Sequence, residues 1–309
     1  MDRKQIRKSI PRFAGWLGLV LCSLIIKLLP ASLLYSFANN IASLGYIIAR
    51  KQKKIALESL GIAFGSDKTG QERRKIARDC FVFMAKSAVE LLFFLERPQF
   101  LRGRISFEGK KYLDAALSEG RGVILVSAHF GNFPLMLGKL GMEGYKAGAI
   151  MRPMRDKRTE KFFAEKRRQF NINTIYSQPR TVCVENTIKA LRNNEVVFIP
   201  IDQNFGTAGV FVNFFGKKAA TATGPIVLAL RTKAVILPCF MVRQPNDKHK
   251  IIFEPPIDLG EDGQRKGVIV DTIQRLTNII ELYIRRYPAQ WGWIHRRWKS
   301  KPNLTEGGA

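Results

Sequence analysis

"VILVSAHFGNFPLMLGKLG", residues 123–141, decides how this chain is read. An apolar run, Val123 to Val126, leads through Ser127 and Ala128 to His129. Gly131-Asn132 turns the chain, and an apolar helical pattern opens near Phe133. Strand, turn and helix in that order make the repeating unit of a parallel α/β sheet, where ligands gather at the carboxyl ends of strands. His129 stands at such an end. A neutral imidazole there faces a crevice and can take a proton from a hydroxyl. Gly131 allows close backbone approach, and Asn132 is placed to cap the helix that follows. Backbone N–H groups near Gly131 and Asn132, at a helix N-terminus, are then candidate donors to a developing oxyanion.

Working outward, the same unit recurs. Short apolar runs at 146–151, 195–201 and 234–242 join 123–127 as expected strands. Stretches 109–119, 156–170, 181–193, 222–231 and 266–286 read as helices. The alternation predicts a mainly parallel sheet flanked by helices. Two further strand ends carry polar residues. "AIMRPMRDKR" (149–158) places Arg152 and Arg155 after the second run, where a fixed guanidinium suits phosphate or carboxylate. Asp202 and Gln203 follow the 195–201 run. Upstream, residues 55–100 read as helical, with Ile76, Cys80, Phe83, Met84 and Leu91 at helical spacing.

The composition narrows the partners. The chain has 309 residues, 46% of them hydrophobic, with 51 Lys+Arg against 25 Asp+Glu for a net charge of +26. A protein so basic seeks a polyanion, either nucleic acid or an anionic membrane. The N-terminus separates the two. Arg3, Lys4, Arg7, Lys8 and Arg12 precede a nearly uninterrupted apolar run from Phe13 to Leu29, and "RKQKK" follows at 50–54. Residues 1–50 are therefore expected to be a membrane anchor, spanning or interfacial, and residues 51–309 the catalytic domain. With no nucleic-acid motif present, nucleic acid is not an expected partner. Two aromatic segments point the same way. In 196–224, Phe205, Phe211, Phe214 and Phe215 lie near Lys217 and Lys218. In "YPAQWGWIHRRWKSKP" (287–302), Trp291, Trp293 and Trp298 interleave with basic residues. The first is expected at a membrane interface or an acyl-chain opening, the second at a bilayer headgroup region. The four cysteines are scattered and form no metal pattern.

Taken together, "IALESLGIAFG", "SAHFGNFP", "IMRPMRD", "IPIDQNFGTAGVFVNFFGKKAATATG" and "QWGWIHRRWK" resemble the lysophospholipid acyltransferase-like family, in its bacterial lipid A late acyltransferase branch. The likeness covers nearly the whole chain, in the family's order. It implies a glycerolipid-acyltransferase-like fold and an inner-membrane enzyme with its catalytic domain on the cytoplasmic side. It also implies acyl transfer from acyl carrier protein or acyl-CoA to a hydroxyl of an anionic glycolipid, with no cofactor and no metal. The resemblance implies that His129 is the base, that Arg152 helps hold an anionic substrate group and that Asp202 lies in the site. Arg155 and Gln203 are expected to join them in binding substrate. One departure stands out: the family pattern has Asp or Glu five positions after the histidine, and here that position is Pro134. Three arrangements answer it. Asp202 reaches His129 through the fold, a backbone carbonyl orients the ring, or the chain binds lipid without turnover.

Overall fold

The computed structural model describes residues 3–302 except 102 and 261–266. Four helices come first: α1 (Arg3–Leu28), α2 (Leu34–Ile48), α3 (Arg50–Phe64) and α4 (Gly70–Glu96). Thr69 starts α4 with a capping box, accepting from the Glu72 N–H while the Glu72 carboxylate accepts from the Thr69 N–H. The α/β part follows as β1 (Ile105–Glu108), α5 (Lys110–Ser118), β2 (Val123–Ser127), α6 (Phe133–Met142), β3 (Ala147–Met151), α7 (Lys157–Gln169) and β4 (Ile172–Tyr176). Next come α8 (Arg180–Arg192), β5 (Val196–Pro200), β6 (Val210–Phe214), β7 (Lys217–Thr221), α9 (Gly224–Thr232), β8 (Val235–Arg243), β9 (His249–Phe253) and α10 (Val268–Arg286).

Seven strands form one sheet in the order β1-β9-β8-β2-β5-β3-β4; every pairing is parallel except β8 with β9. All four expected strands are present as β2, β3, β5 and β8, and the five expected helices as α5, α7, α8, α9 and α10. The central strand β2 is buried along its whole length, as a strand covered on both faces requires. Its two faces feed two apolar clusters. Ile124 and Val126 pack with α10 and the C-terminal tryptophans, while Val123 and Leu125 pack with α4 and α6. Ile26 of α1 with Leu34 and Ala38 of α2 belong to the second cluster, so the N-terminal helices share the core of the sheet.

The aromatic segments correct the sequence reading. β6 and β7 pair as an antiparallel hairpin outside the main sheet. Phe214 and Phe215 are buried, and of the four phenylalanines in this segment Phe205 is the exposed one. Trp291 and Trp293 are buried as well, packed edge-on or tilted among Phe214, Phe215 and Phe64. These rings form an interior wall, not a membrane-facing belt. Their combined apolar area is worth more inside than at an interface, because each large ring buries roughly 150–250 Å².

Candidate active site

The site lies where β2 and β5 end side by side. Their register pairs Ser127 with Pro200, and the Ile201 N–H donates to the Ser127 carbonyl at 3.0 Å. Two residues further on, the neighbours are His129 and Asp202. His129 Nδ1 lies 2.8 Å from Asp202 Oδ1, and the His129 backbone N–H donates to Asp202 Oδ2 at 2.9 Å. Trp291 Nε1–H donates to the same Oδ2 at 2.7 Å. Both carboxylate oxygens are thus fixed, and Asp202 is buried. Burial alone would raise its pKa. The His129 charge, the His129 ring hydrogen bond and Trp291 outweigh burial and bring it down to about 2. For His129, burial pulls the pKa down, while the Asp202 charge and hydrogen bond raise it above the ordinary 6.5. With Nδ1–H donated to Asp202, Nε2 carries the free lone pair. Its neighbour is the Gln203 amide nitrogen at 3.1 Å, which also approaches His295 Nε2 at 3.4 Å.

The loop holding His129 is pinned on two sides. Gly131 sits at φ +63°, and a Cβ there would come within 1.7 Å of the Met241 carbonyl on β8, so only glycine fits. Residues 290–292 bridge the loop from the other side. The Gly131 N–H donates to the Gln290 carbonyl at 2.9 Å, and the Gly292 N–H to the His129 carbonyl at 3.3 Å. This removes the Gly131 N–H from the expected oxyanion donors, because the Gln290 carbonyl occupies it. Asn132 is corrected too. It precedes α6, yet its side chain makes no cap. Its amide instead donates to the Ser87 carbonyl at 3.1 Å and to Glu90 Oε2 at 3.2 Å. Donation of its NH₂ to a buried carboxylate fixes the side chain in a rotamer that does not bring its oxygen to the α6 N–H groups, since hydrogen bonds to charged groups are the stronger.

Of the expected site residues, the structure brings His129, Asp202 and Gln203 together. Arg152 and Arg155 are exposed at the end of β3, on the same sheet edge but one strand beyond β5. Among the described residues, no hydrogen bond joins either arginine to the His129–Asp202 pair. Trp291, His295 and Arg297 were missed as site residues. Arg297 is buried, donates to the Gln203 carbonyl at 3.2 Å and to the Ala220 carbonyl, and lies over the Phe214 ring. It thereby holds the turn after Asp202 against β7. The signal was present in "QWGWIHRRWK", but a linear pattern of aromatic and basic residues does not show which of them point inward.

Comparison with known proteins decides the family. A family model described as bacterial lipid A biosynthesis acyltransferase matches residues 1–300. The chain belongs to that family. Lipid A biosynthesis lauroyltransferase from Escherichia coli K12 is 26% identical over 303 residues, covering 94% of each chain. The palmitoleoyltransferase of the same organism is 27% identical over 300 residues, covering 94% of this chain and 93% of its own. Phosphatidylinositol mannoside acyltransferase from Mycobacterium tuberculosis (strain CDC 1551 / Oshkosh) is 25% identical over 191 residues, 62% of this chain. As a member of the lipid A acyltransferase family, the chain is an acyltransferase.

Proposed function

We propose that this acyltransferase moves a fatty acyl chain from a thioester donor to a hydroxyl of a lipid A precursor, with His129 as general base. The observation that carries the reading is the His129–Asp202 pair, whose free Nε2 faces the site beside Gln203. The acceptor hydroxyl takes the place of the Gln203 amide on Nε2 and gives up its proton there as its oxygen attacks the thioester carbon. Asp202 holds the tautomer and stabilises the imidazolium that forms. As the carbon–sulfur bond breaks, the thiolate leaves with the proton from Nε2. An ester and a free thiol result, and His129 returns neutral. Donors to the oxyanion come from the Gln203 amide and from the first N–H groups of α6, which have no intrahelical partner. Arg152 and Arg155, exposed at the end of β3, hold the acceptor phosphate.

The donor is acyl carrier protein or acyl-CoA. The net charge of +26 favours an acidic carrier. Residues 1–50 hold the protein on the inner membrane, with the catalytic domain on the cytoplasmic side. A lipid-binding protein without turnover was the other reading, motivated by Pro134. Asp202 stands at the ring nitrogen a carboxylate would occupy, which removes that motive. The test is transfer by the purified full-length protein from each thioester to a lipid A precursor bearing free hydroxyls, followed by mass spectrometry. A gain of one acyl chain is expected. An acceptor whose mass never changes with either donor would refute the reading.

A further inference from the structure

Residues Ser9–Leu28 of α1 form a segment of mean hydropathy 1.7 and 20 residues, long enough to cross a bilayer. The contacts along it point elsewhere. Near its start, the Arg158 guanidinium lies 5.0 Å over the Phe13 ring, and Trp16 meets Phe162 edge-on at 6.3 Å. In the middle, Leu19 and Cys22 pack on the core and Ile26 is buried in it. At its end, Lys27 pairs with Glu96 at 3.3 Å, and Lys166 shares that carboxylate at 2.7 Å. Arg97 donates to the carbonyls of Leu29, at 3.1 Å, and Lys27. From Phe13 to Leu28 is about 22 Å of helix axis, most of the roughly 30 Å hydrocarbon layer. A helix crossing that layer would carry Arg158, Glu96, Lys166 and Arg97 into it, where charges are costly, or would lose every one of these contacts.

The other face of α1 is apolar and bare. Leu17, Leu21, Leu24 and Leu28 are all exposed and recur at intervals of three and four, which makes one stripe. A soluble surface rarely carries so long an apolar strip. Basic residues flank it: Arg12 is exposed beside Phe13, and Arg50, Lys51 and Lys54 are exposed beyond α2. Apolar stripe and basic flanks together match an anionic bilayer surface.

We propose that α1 lies in the plane of an anionic leaflet, its stripe among the acyl chains and its other face kept on the catalytic domain, so that the chain does not cross the membrane. This rests on the membrane reading above and chooses its geometry. Arg158, at the Phe13 end, opens α7 directly after the Arg152–Arg155 loop. The stripe therefore begins beside the basic edge of the sheet. The site opens sideways onto the leaflet, and a phosphorylated glycolipid can present its headgroup to Arg152 and Arg155 with its acyl chains still in the bilayer.

The test uses the full chain carrying one epitope tag before Met1 and another after Ala309. Inverted inner-membrane vesicles from cells producing it are treated with protease, without and then with detergent. Loss of both tags without detergent is expected. An N-terminal tag that survives until detergent is added, while the C-terminal tag is lost, overturns the in-plane geometry and leaves membrane attachment standing. Absence of the protein from the vesicle fraction overturns both. A second measurement needs no topology assay. In a Cys22→Ser background, Trp16→Cys with Phe162→Cys should be joined by a short bifunctional maleimide in the membrane-bound protein, with transfer retained. Failure to crosslink there, against success in detergent, also overturns the geometry.

Discussion

Among the described residues, two buried carboxylates each lie within about 3 Å of a histidine, and their surroundings differ. Asp202 binds His129 Nδ1 at 2.8 Å, and the His129 side chain remains 28% exposed with its second nitrogen toward the site. Glu90 on α4 binds His249 Nε2 at 3.1 Å, but His249 is 1% exposed and its Nδ1 has no partner. Glu90 also takes both ends of the Arg243 guanidinium at 2.7 and 2.6 Å, the Tyr35 hydroxyl at 2.8 Å and the Asn132 amide. A histidine beside a carboxylate is therefore no signature of catalysis by itself. Access to the other ring nitrogen separates a base from a brace. The two centres meet through Asn132, which carries the Glu90 network to the loop beside His129.

The largest effect should fall on the reactive pair. His129→Ala is expected to lower transfer by about 10²–10⁴-fold, as loss of a general base does, with its Tm near that of the parent. A variant that keeps most of its kcat would take His129 out of the mechanism and erase the contrast.

Asp202→Asn should come close behind, with a loss of up to about 10⁴-fold. Its sharper readout is the pH profile. His129 must be neutral to act, and Asp202 raises its pKa above 6.5, so the parent rate climbs through a pH above that value. Without the carboxylate charge, this limb should move to lower pH. The double variant should lose little more than His129→Ala alone, because the pair works as a unit. Losses that multiply instead would make Asp202 an independent binder of substrate.

Glu90→Ala takes from Arg243 its bidentate partner, leaving it Asp247 at 3.0 Å, and takes from His249 its carboxylate, and should cost about 3–5 kcal/mol of stability, seen in denaturant or thermal unfolding. Burial would raise the Glu90 pKa, but His249 and Arg243 prevail and hold it at about 2. Its stabilisation is complete above the ordinary value of 4.5 and drains away as pH falls toward 2. The variant lacks that loss, so its Tm should fall less steeply across the same acid range. Unfolding curves of equal acid slope would show that Glu90 does not act as a buried charge.

Arg152→Ala should raise the KM for a phosphorylated acceptor roughly tenfold, about what one charge-assisted contact supplies, and Arg152→Lys should do less. Neither should shift Tm appreciably, since the side chain is exposed. Equal KM in parent and both variants would remove Arg152 from acceptor binding. The smallest effect belongs to Pro134→Glu. Proline at the second position of α6 stiffens the helix start, a matter of less than about 1 kcal/mol. With His129 Nδ1 already taken by Asp202, a new carboxylate finds no ring nitrogen to orient, and kcat should change less than about threefold. A large gain in kcat would mean that Asp202 leaves the orienting role half filled.

The central sheet was legible because strands covered on both faces read as unbroken apolar runs, as in "VILVS" and "VVFIP". Strands β1, β4 and β9 were not. "ISFE", "INTIY" and "HKIIF" mix polar and apolar residues, and they lie in the outer part of the sheet, where one face is half exposed. His129 and Asp202 could be paired from position alone, because both follow neighbouring parallel strands. Glu90 was hidden, since its partners Arg243 and His249 are 153 and 159 positions away. Within "AVELLFFL" it looks like one polar residue on an ordinary helix. The same blindness turned Trp291 and Trp293 outward in the sequence reading. Sequence shows that a side chain is aromatic or basic, and only tertiary packing decides whether it faces water.

The Trp291–Asp202 hydrogen bond has a temporal side. Trp291 follows Asp202 by 89 positions, on the order of 5–20 s of synthesis at about 5–20 residues per second. During that interval the nascent chain already holds His129 and Asp202, but not the donor that completes the carboxylate or the 290–292 bridge that pins the loop. The apolar α1 has meanwhile long left the ribosome. Under the membrane attachment and the His129 role proposed above, the order of translation brings the apolar end out first and pins the His129 loop last, so that the chain reaches a lipid surface before its site is complete.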